Sequence, residues 1–278
     1  MHNIITNFDQ ILDFAKGMNI STDRKRGILR EYLQSKFITI FYSLSKSHKL
    51  ALSGDSSLRL LKNIDRFSED LCFTNLGILD DDVASIFYEV VKRFNFEGLT
   101  AELILPTKEW RSIDLLKSNQ QLNIEKTYFD IRFSGLLSKL DITNNPNEIL
   151  SIRISYESSW IGIKTENILF NKYGFIESVL SVDINQLLVQ KLFLYTKGNS
   201  VQPKDIYDIV WLYSQGAKVD KDFAKVNLLE NIALQAKYKY TLGNIPESFK
   251  NKLAPYLFNF NDVKKLDLFG LVLEELCK

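Results

Sequence analysis

The stretch Leu50-Ala51-Leu52-Ser53-Gly54-Asp55-Ser56-Ser57-Leu58-Arg59, with Asp70-Leu71-Cys72-Phe73 following it, decides how this chain is read. Its first four residues carry a strand signal, Gly54 allows a tight turn directly after them, and Ser56 and Ser57 bring hydroxyls to a helix start. N–H donors and the helix dipole at such a start favour an anion, so Gly54, Ser56 and Ser57 suit phosphate oxygens. The same fragment also reads as an ordinary helix cap after a strand.

The next piece is Arg66-Phe67-Ser68-Glu69-Asp70-Leu71-Cys72-Phe73. Side chains alternate along a strand, so Asp70 and position 72 share one face while Glu69 faces away. Two carboxylates at that spacing hold magnesium in nucleotidyl-transfer sites, where the metal offsets charge on triphosphate oxygens. Here the second place is taken by Cys72, a soft and mostly neutral ligand at pH 7 that binds magnesium poorly. Alternating polar and apolar residues also describe any half-buried strand.

Composition narrows the alternatives. The chain has 278 residues, 45% of them hydrophobic, enough for one large core or two modest ones. Lys+Arg 35 against Asp+Glu 34 leaves a net charge of +1, so no global field marks a nucleic-acid partner. The two cysteines, Cys72 and Cys277, are too few for a disulfide framework and point to a reducing, cytoplasmic setting. Met1-His2-Asn3-Ile4-Ile5-Thr6-Asn7 lacks a signal-peptide pattern, and no apolar run is long enough for a membrane span. With two histidines, His2 and His48, and no CxxC pair, any metal should be held by oxygen ligands, hence magnesium or a relative such as manganese.

Residues 1–48 read as helices, one of them capped by Ser21-Thr22-Asp23 and running through Ile28, Leu29, Tyr32, Leu33 and Phe37. Leu50–Ser53, Asp70–Thr74, Leu99–Leu105, Thr127–Phe133 and Leu150–Tyr156 read as strands, with a helix over Asp81–Phe94. From Asp183 to Lys278 the period is helical. The expected organisation is an α+β domain over residues 1–178 and an all-helical domain over 179–278.

Two features of the second half carry chemistry. Lys191 falls on the apolar face of the helix opened by Asp183, with Ile184, Leu187 and Leu188. It reads either as a lysine snorkelling at the edge of that stripe or as a cation aimed at a phosphate or carboxylate. Pro203 and Gly216 bracket another helix, whose Lys204-Asp205-Ile206-Tyr207-Asp208 places two acids on one face. Acids in a first helical turn are also favoured by the dipole alone.

Together these motifs resemble the AbiEii/AbiGii-type nucleotidyltransferase toxins, the family that includes the MenT toxins. The family has Gly-Gly-(Thr/Ser)-x-Leu-(Arg), then Arg-(Phe/Ile)-Ser-x-Asp-Leu-Asp-Phe, then an Asp-(Val/Ile)-x-x-Leu-Leu-x-x-Lys helix, then Lys/Arg-Asp-x-x-Asp. Gly54–Arg59, Arg66–Phe73, Asp183–Lys191 and Lys204–Asp208 match them in order, within a resemblance spanning residues 28 to 213. It implies a polymerase-β-like mixed sheet with flanking helices, and a helical C-terminal domain that completes the site. It also implies an NTP substrate with Mg2+ or Mn2+, an RNA acceptor such as tRNA, and a cognate antitoxin. Asp70, Lys191, Asp205 and Asp208 are then the expected catalytic residues, with Lys191 on the triphosphate. A third carboxylate would come from Ser151–Glu157, where Ser155 aligns first and Glu157 lies two residues on, making Asp70 and Glu157 the expected metal ligands. The departures are Asp55, Cys72 and Ser155. They leave two readings: a catalytic toxin, or a degenerate member that binds nucleotide, RNA or antitoxin without efficient transfer. Arg24-Lys25-Arg26 with Arg30, and Lys218, Lys221 and Lys225, are candidate RNA-backbone patches.

Overall fold

The computed structural model describes residue 4 and residues 7–114, 121–198, 201–243 and 245–278. Of the N-terminal stretch read for a leader, His2 and its neighbours other than Ile4 and Asn7 lie outside the described residues.

The strands are β1 (Leu50–Ser53), β2 (Asp70–Asn75), β3 (Ala101–Asp114), β4 (Gln121–Phe133), β5 (Leu150–Glu157), β6 (Thr165–Lys172) and β7 (Phe175–Val182). They form one mixed sheet in the order β3-β4-β5-β2-β1-β7-β6. Helices α1 (Phe8–Gly17), α2 (Lys25–Tyr42), α3 (Gly54–Leu60), α4 (Asp80–Phe96) and α5 (Leu136–Lys139) accompany the sheet. After it come α6 (Ile184–Lys197), α7 (Pro203–Ser214), α8 (Lys221–Val226), α9 (Ile232–Thr241), α10 (Ser248–Leu253) and α11 (Phe269–Leu276), with a 3-10 stretch over Phe260–Leu268.

Alternation divides the sheet. Leu71 and Phe73 of β2, Phe129, Ile131 and Phe133 of β4, and Ile152 and Ile154 of β5 join α1, α2 and α4 in one apolar core. On β1, Leu50 and Leu52 belong to that core, while Ala51 points into a second core built from α6, α7, α9 and α11. This strand is therefore buried on both faces, which is why its sequence is nearly continuous in apolar character. The second core also takes Leu58 and Val182, so the C-terminal helices pack directly on the sheet.

Positions 178 and 179 lie inside β7, whose Ser181 pairs with Leu52 of β1. Three points about the elements differ from expectation. The β6–β7 hairpin was absent from the sequence reading, although its two-residue turn, Tyr173 (φ 52°) and Gly174 (φ 79°), belongs to the positive-φ class that matches strand twist. Strands β3 and β4 run well beyond the expected Leu99–Leu105 and Thr127–Phe133. Pro106 does not end β3 because β3 is an edge strand, and the register simply shifts between Ile104 and Thr107. Finally, α2 is preceded by Arg24 with no side-chain cap; the Ser21 hydroxyl instead donates to Asp23 Oδ2 at 3.2 Å.

Candidate active site

At the end of β1 the chain turns through Gly54 at φ +53°, a left-handed conformation that favours glycine. A Cβ there would also sit 3.4 Å from Cys72 Cβ on the neighbouring strand. The Ser56 hydroxyl donates to Ser53 O at 3.0 Å and accepts from Cys72 N–H at 2.9 Å, tying α3 to β2. Ser57 Oγ lies 2.8 Å from Ser181 Oγ of β7. Both hydroxyls are fully buried in these internal bonds, and the turn faces the adjoining cleft through Ser53, Gly54 and Asp55 instead.

Asp55 is the centre of an ionic knot between the two cores. Lys191 of α6 donates to Asp55 Oδ1 at 2.5 Å and to Asp205 Oδ1 at 2.8 Å, and lies 2.7 Å from Asp208 Oδ2. Arg66 grips Asp208 through two bonds of 2.7 and 2.6 Å and comes within 3.4 Å of Asp55. Lys204 reaches Asp55 Oδ2 at 3.1 Å. Three cations thus balance three carboxylates. Burial pushes the Asp55 carboxyl up, but Lys191, Arg66 and Lys204 outweigh it and hold it well below the carboxylate range. Burial raises Asp205, and Lys191 does not fully offset that. Burial alone would pull Lys191 down; Asp205, Asp208 and Asp55 raise it well above the ordinary lysine value.

Oxygens of Asp55, Asp205 and Asp208 lie within 4.8 Å of one another, close enough to share a metal ion. The Lys191 ammonium already stands among them, and its three protons match three carboxylates. A cation there would have to displace it.

The cleft beside the knot, of about 190 Å³, is lined by Asp70, Cys72, Ser155, Glu157, Lys126, Gln190, Lys191, Lys204 and Asp205, with Trp160, Leu187 and Phe193 as an apolar wall. Asp70 and Asp205 line the same cleft, although they come from different halves of the chain. Asp208 is brought to the knot but is fully buried behind the cleft. Lys191 lines the cleft, yet its ammonium is already held by three carboxylates.

On the strands, Cys72 pairs with Ser155, their Sγ and Oγ 3.6 Å apart. Burial pushes the Cys72 thiol up, so it is neutral at physiological pH. Burial also raises Asp70, with Lys204 and Arg153 opposing. Glu157 Oε1 accepts a 2.6 Å bond from Trp160 Nε1. One half-buried carboxylate, a neutral thiol, a hydroxyl and one already hydrogen-bonded glutamate do not fit a pair of magnesium ions, which demand hard, charged oxygens.

Several residues here were missed by sequence reasoning. Lys126 precedes the point where β4 was expected to begin, so its direction was unreadable. Gln190 and Trp160 carried no local signal. Lys204 was visible within its motif, but its partner Asp55 was not.

Comparison with known proteins supports the same description. The model of the family described as "Nucleotidyl transferase AbiEii toxin, Type IV TA system" matches residues 40–265. Among solved structures, JHP933 from Helicobacter pylori is similar at 15% identity and TM-score 0.48, covering 90% of this chain and 93% of that one. A second H. pylori protein, described as a "putative nucleotidyltransferase", is similar at 14% identity and TM-score 0.46, covering 90% and 96%. The search of curated proteins found no match. With its motifs in family order around one cleft and most of its length matched, the chain belongs to the AbiEii family of nucleotidyltransferase toxins of type IV toxin–antitoxin systems.

Proposed function

We propose that this protein transfers a nucleotide from an NTP to an RNA acceptor, tRNA being the acceptor to test first. The observation that carries the reading is the convergence on one cleft of Asp70 from β2 and of Lys191, Lys204 and Asp205 from the helical half. In the transfer step, an acceptor hydroxyl attacks the α-phosphate, an O–P bond forms, and the bond to pyrophosphate breaks. Asp70, raised by burial and standing at the cleft, is placed to take the hydroxyl proton. Lys204 and Lys191 provide positive charge beside the leaving pyrophosphate. Family membership implies an antitoxin partner and a nucleotide substrate. No helix among the described residues is long and apolar enough to cross a membrane.

The second reading, a family member that binds without efficient transfer, is favoured by one specific observation: the Asp55 carboxylate holds both lysines that a triphosphate would need. Purified protein incubated with each α-labelled NTP, total tRNA, and magnesium or manganese separates the two. Label on tRNA supports transfer. NTP binding without label under either metal supports the binding reading.

A further inference from the structure

Beyond the core-facing residues, three adjacent strands turn towards the cleft a largely buried face whose composition is set by register. Cys72 of β2 lies opposite Ser155 of β5, which lies opposite Tyr128 of β4. One step along, Thr74 lies opposite Glu157, and Glu157 opposite Lys126. One step the other way, Asp70 lies opposite Arg153, which pairs with Asp130 at 3.3 Å. At the centre of this face, where strand carboxylates would collect a divalent cation, stand a thiol and a hydroxyl. Beside them stands an ammonium.

We propose that Lys126 supplies, from β4, the positive charge that a nucleotidyl-transfer site draws from a metal ion, and that it binds NTP phosphate oxygens without a divalent cation. The inference rests on the nucleotide-transfer reading of the cleft. Lys126 lines the same cleft as Asp70, Cys72, Lys191 and Lys204. Its position is fixed on both sides, by Glu157 on β5 and Glu109 on β3, and its ammonium lies 5.6 Å from the Tyr128 ring centroid. Burial opposes its charge, but the Glu157 and Asp70 carboxylates nearby favour the cation and raise it above the ordinary lysine value. An ammonium is a compact point charge with three donors, suited to phosphate oxygens. A thiol and a hydroxyl at the strand positions and a lysine beside them act in one direction: the face offers little of the negative charge that a metal requires and has the positive charge that a phosphate requires.

A second observation concerns the cleft wall. Gln190 Nε2, on the residue before Lys191, is buried at the cleft wall without a hydrogen-bond partner among the described residues. Buried donors left unpaired cost stability unless a bound molecule satisfies them. A nucleotide whose phosphates meet Lys126 would bring acceptors within the same cleft.

The test is calorimetric titration of the full-length protein with each of the four NTPs, in EDTA and again in millimolar magnesium, for wild type, Lys126→Gln and Lys126→Arg. Thermal melts confirm that each variant is folded. Wild type is expected to bind in EDTA with an affinity within about threefold of that in magnesium. Lys126→Gln should weaken binding in EDTA by about tenfold or more, and Lys126→Arg should restore most of it. Binding that appears only with magnesium, or that is the same in Lys126→Gln, overturns the role of Lys126 and leaves the nucleotide reading standing. No binding of any NTP in either condition removes the nucleotide reading, and this inference with it.

Discussion

Arg66 and Asp208, 142 residues apart, form a two-pronged ion pair of 2.7 and 2.6 Å in which both side chains are 0% exposed. It joins the loop before β2 to α7, and so clamps the sheet to the helical half. Removing one partner of a buried pair costs about 3–5 kcal/mol; without Arg66, Asp208 keeps only Lys191, which Asp55 and Asp205 share, so the knot is left one cation short. Arg66→Ala is expected to lose that much in urea unfolding with an unchanged slope. A loss below about 1 kcal/mol, the worth of a surface pair, would mean that water reaches Asp208.

Asp55 occupies the space between Lys191 and Lys204 that an incoming phosphate would use. Asp55→Ser leaves Lys191 with Asp205 and Asp208 and frees Lys204 from its bond to Asp55. NTP affinity should rise by about tenfold, or about 1.4 kcal/mol, measured by calorimetry at neutral pH. If Asp55→Gly instead abolishes turnover while binding survives, Asp55 is itself a catalytic ligand.

Cys72 stands where the resembled motif has a second aspartate. Cys72→Asp would place a hard, charged oxygen on the face of Asp70 and should make nucleotide transfer to tRNA rise steeply across a magnesium titration. Glu157→Gln is the companion variant. If Glu157 has taken over the ligand role, it abolishes turnover and Cys72→Asp changes little.

Lys172, on the β6–β7 hairpin, donates to Arg59 O at 2.8 Å beside the buried Glu31–Arg59 pair. Burial and then Arg59 pull its pKa down to about 7, against about 10.4 in an unfolded chain. Between these values the unfolded state binds the extra proton, so this group makes stability rise with pH from about 7 towards 10. The slope approaches about 1.4 kcal/mol per pH unit at most. Urea unfolding at pH 7, 8 and 9 should show that slope in wild type and a shallower one in Lys172→Met. Equal slopes would mean that Lys172 stays charged in the fold.

What could be read without a structure was local in origin. The alternation of Asp70-Leu71-Cys72-Phe73, the Asp183 cap, which accepts from Asn185 N–H and Gln186 N–H, and the Pro203 start of α7 each depend on a few adjacent residues. The motifs that place the chain in its family are of the same kind. They are short runs whose side-chain directions follow from helix or strand period. Even the missed β6–β7 hairpin had a local signal, in Lys172-Tyr173-Gly174-Phe175.

The sequence by itself therefore determined the elements flanking the cleft, the residue types offered to it and the family they belong to. Only the tertiary structure decided which charges meet. Period places Lys191 on an apolar face but cannot choose between a phosphate and Asp55, 136 residues away. Period likewise cannot tell that Ser56 and Ser57 turn inward to Cys72 and Ser181, or that Lys126 comes to lie beside Glu157. The physical reason is that backbone period sets a side chain's direction within a few residues. The partner of a buried charge depends on which distant elements pack against it, and on the cost of leaving that charge unpaired.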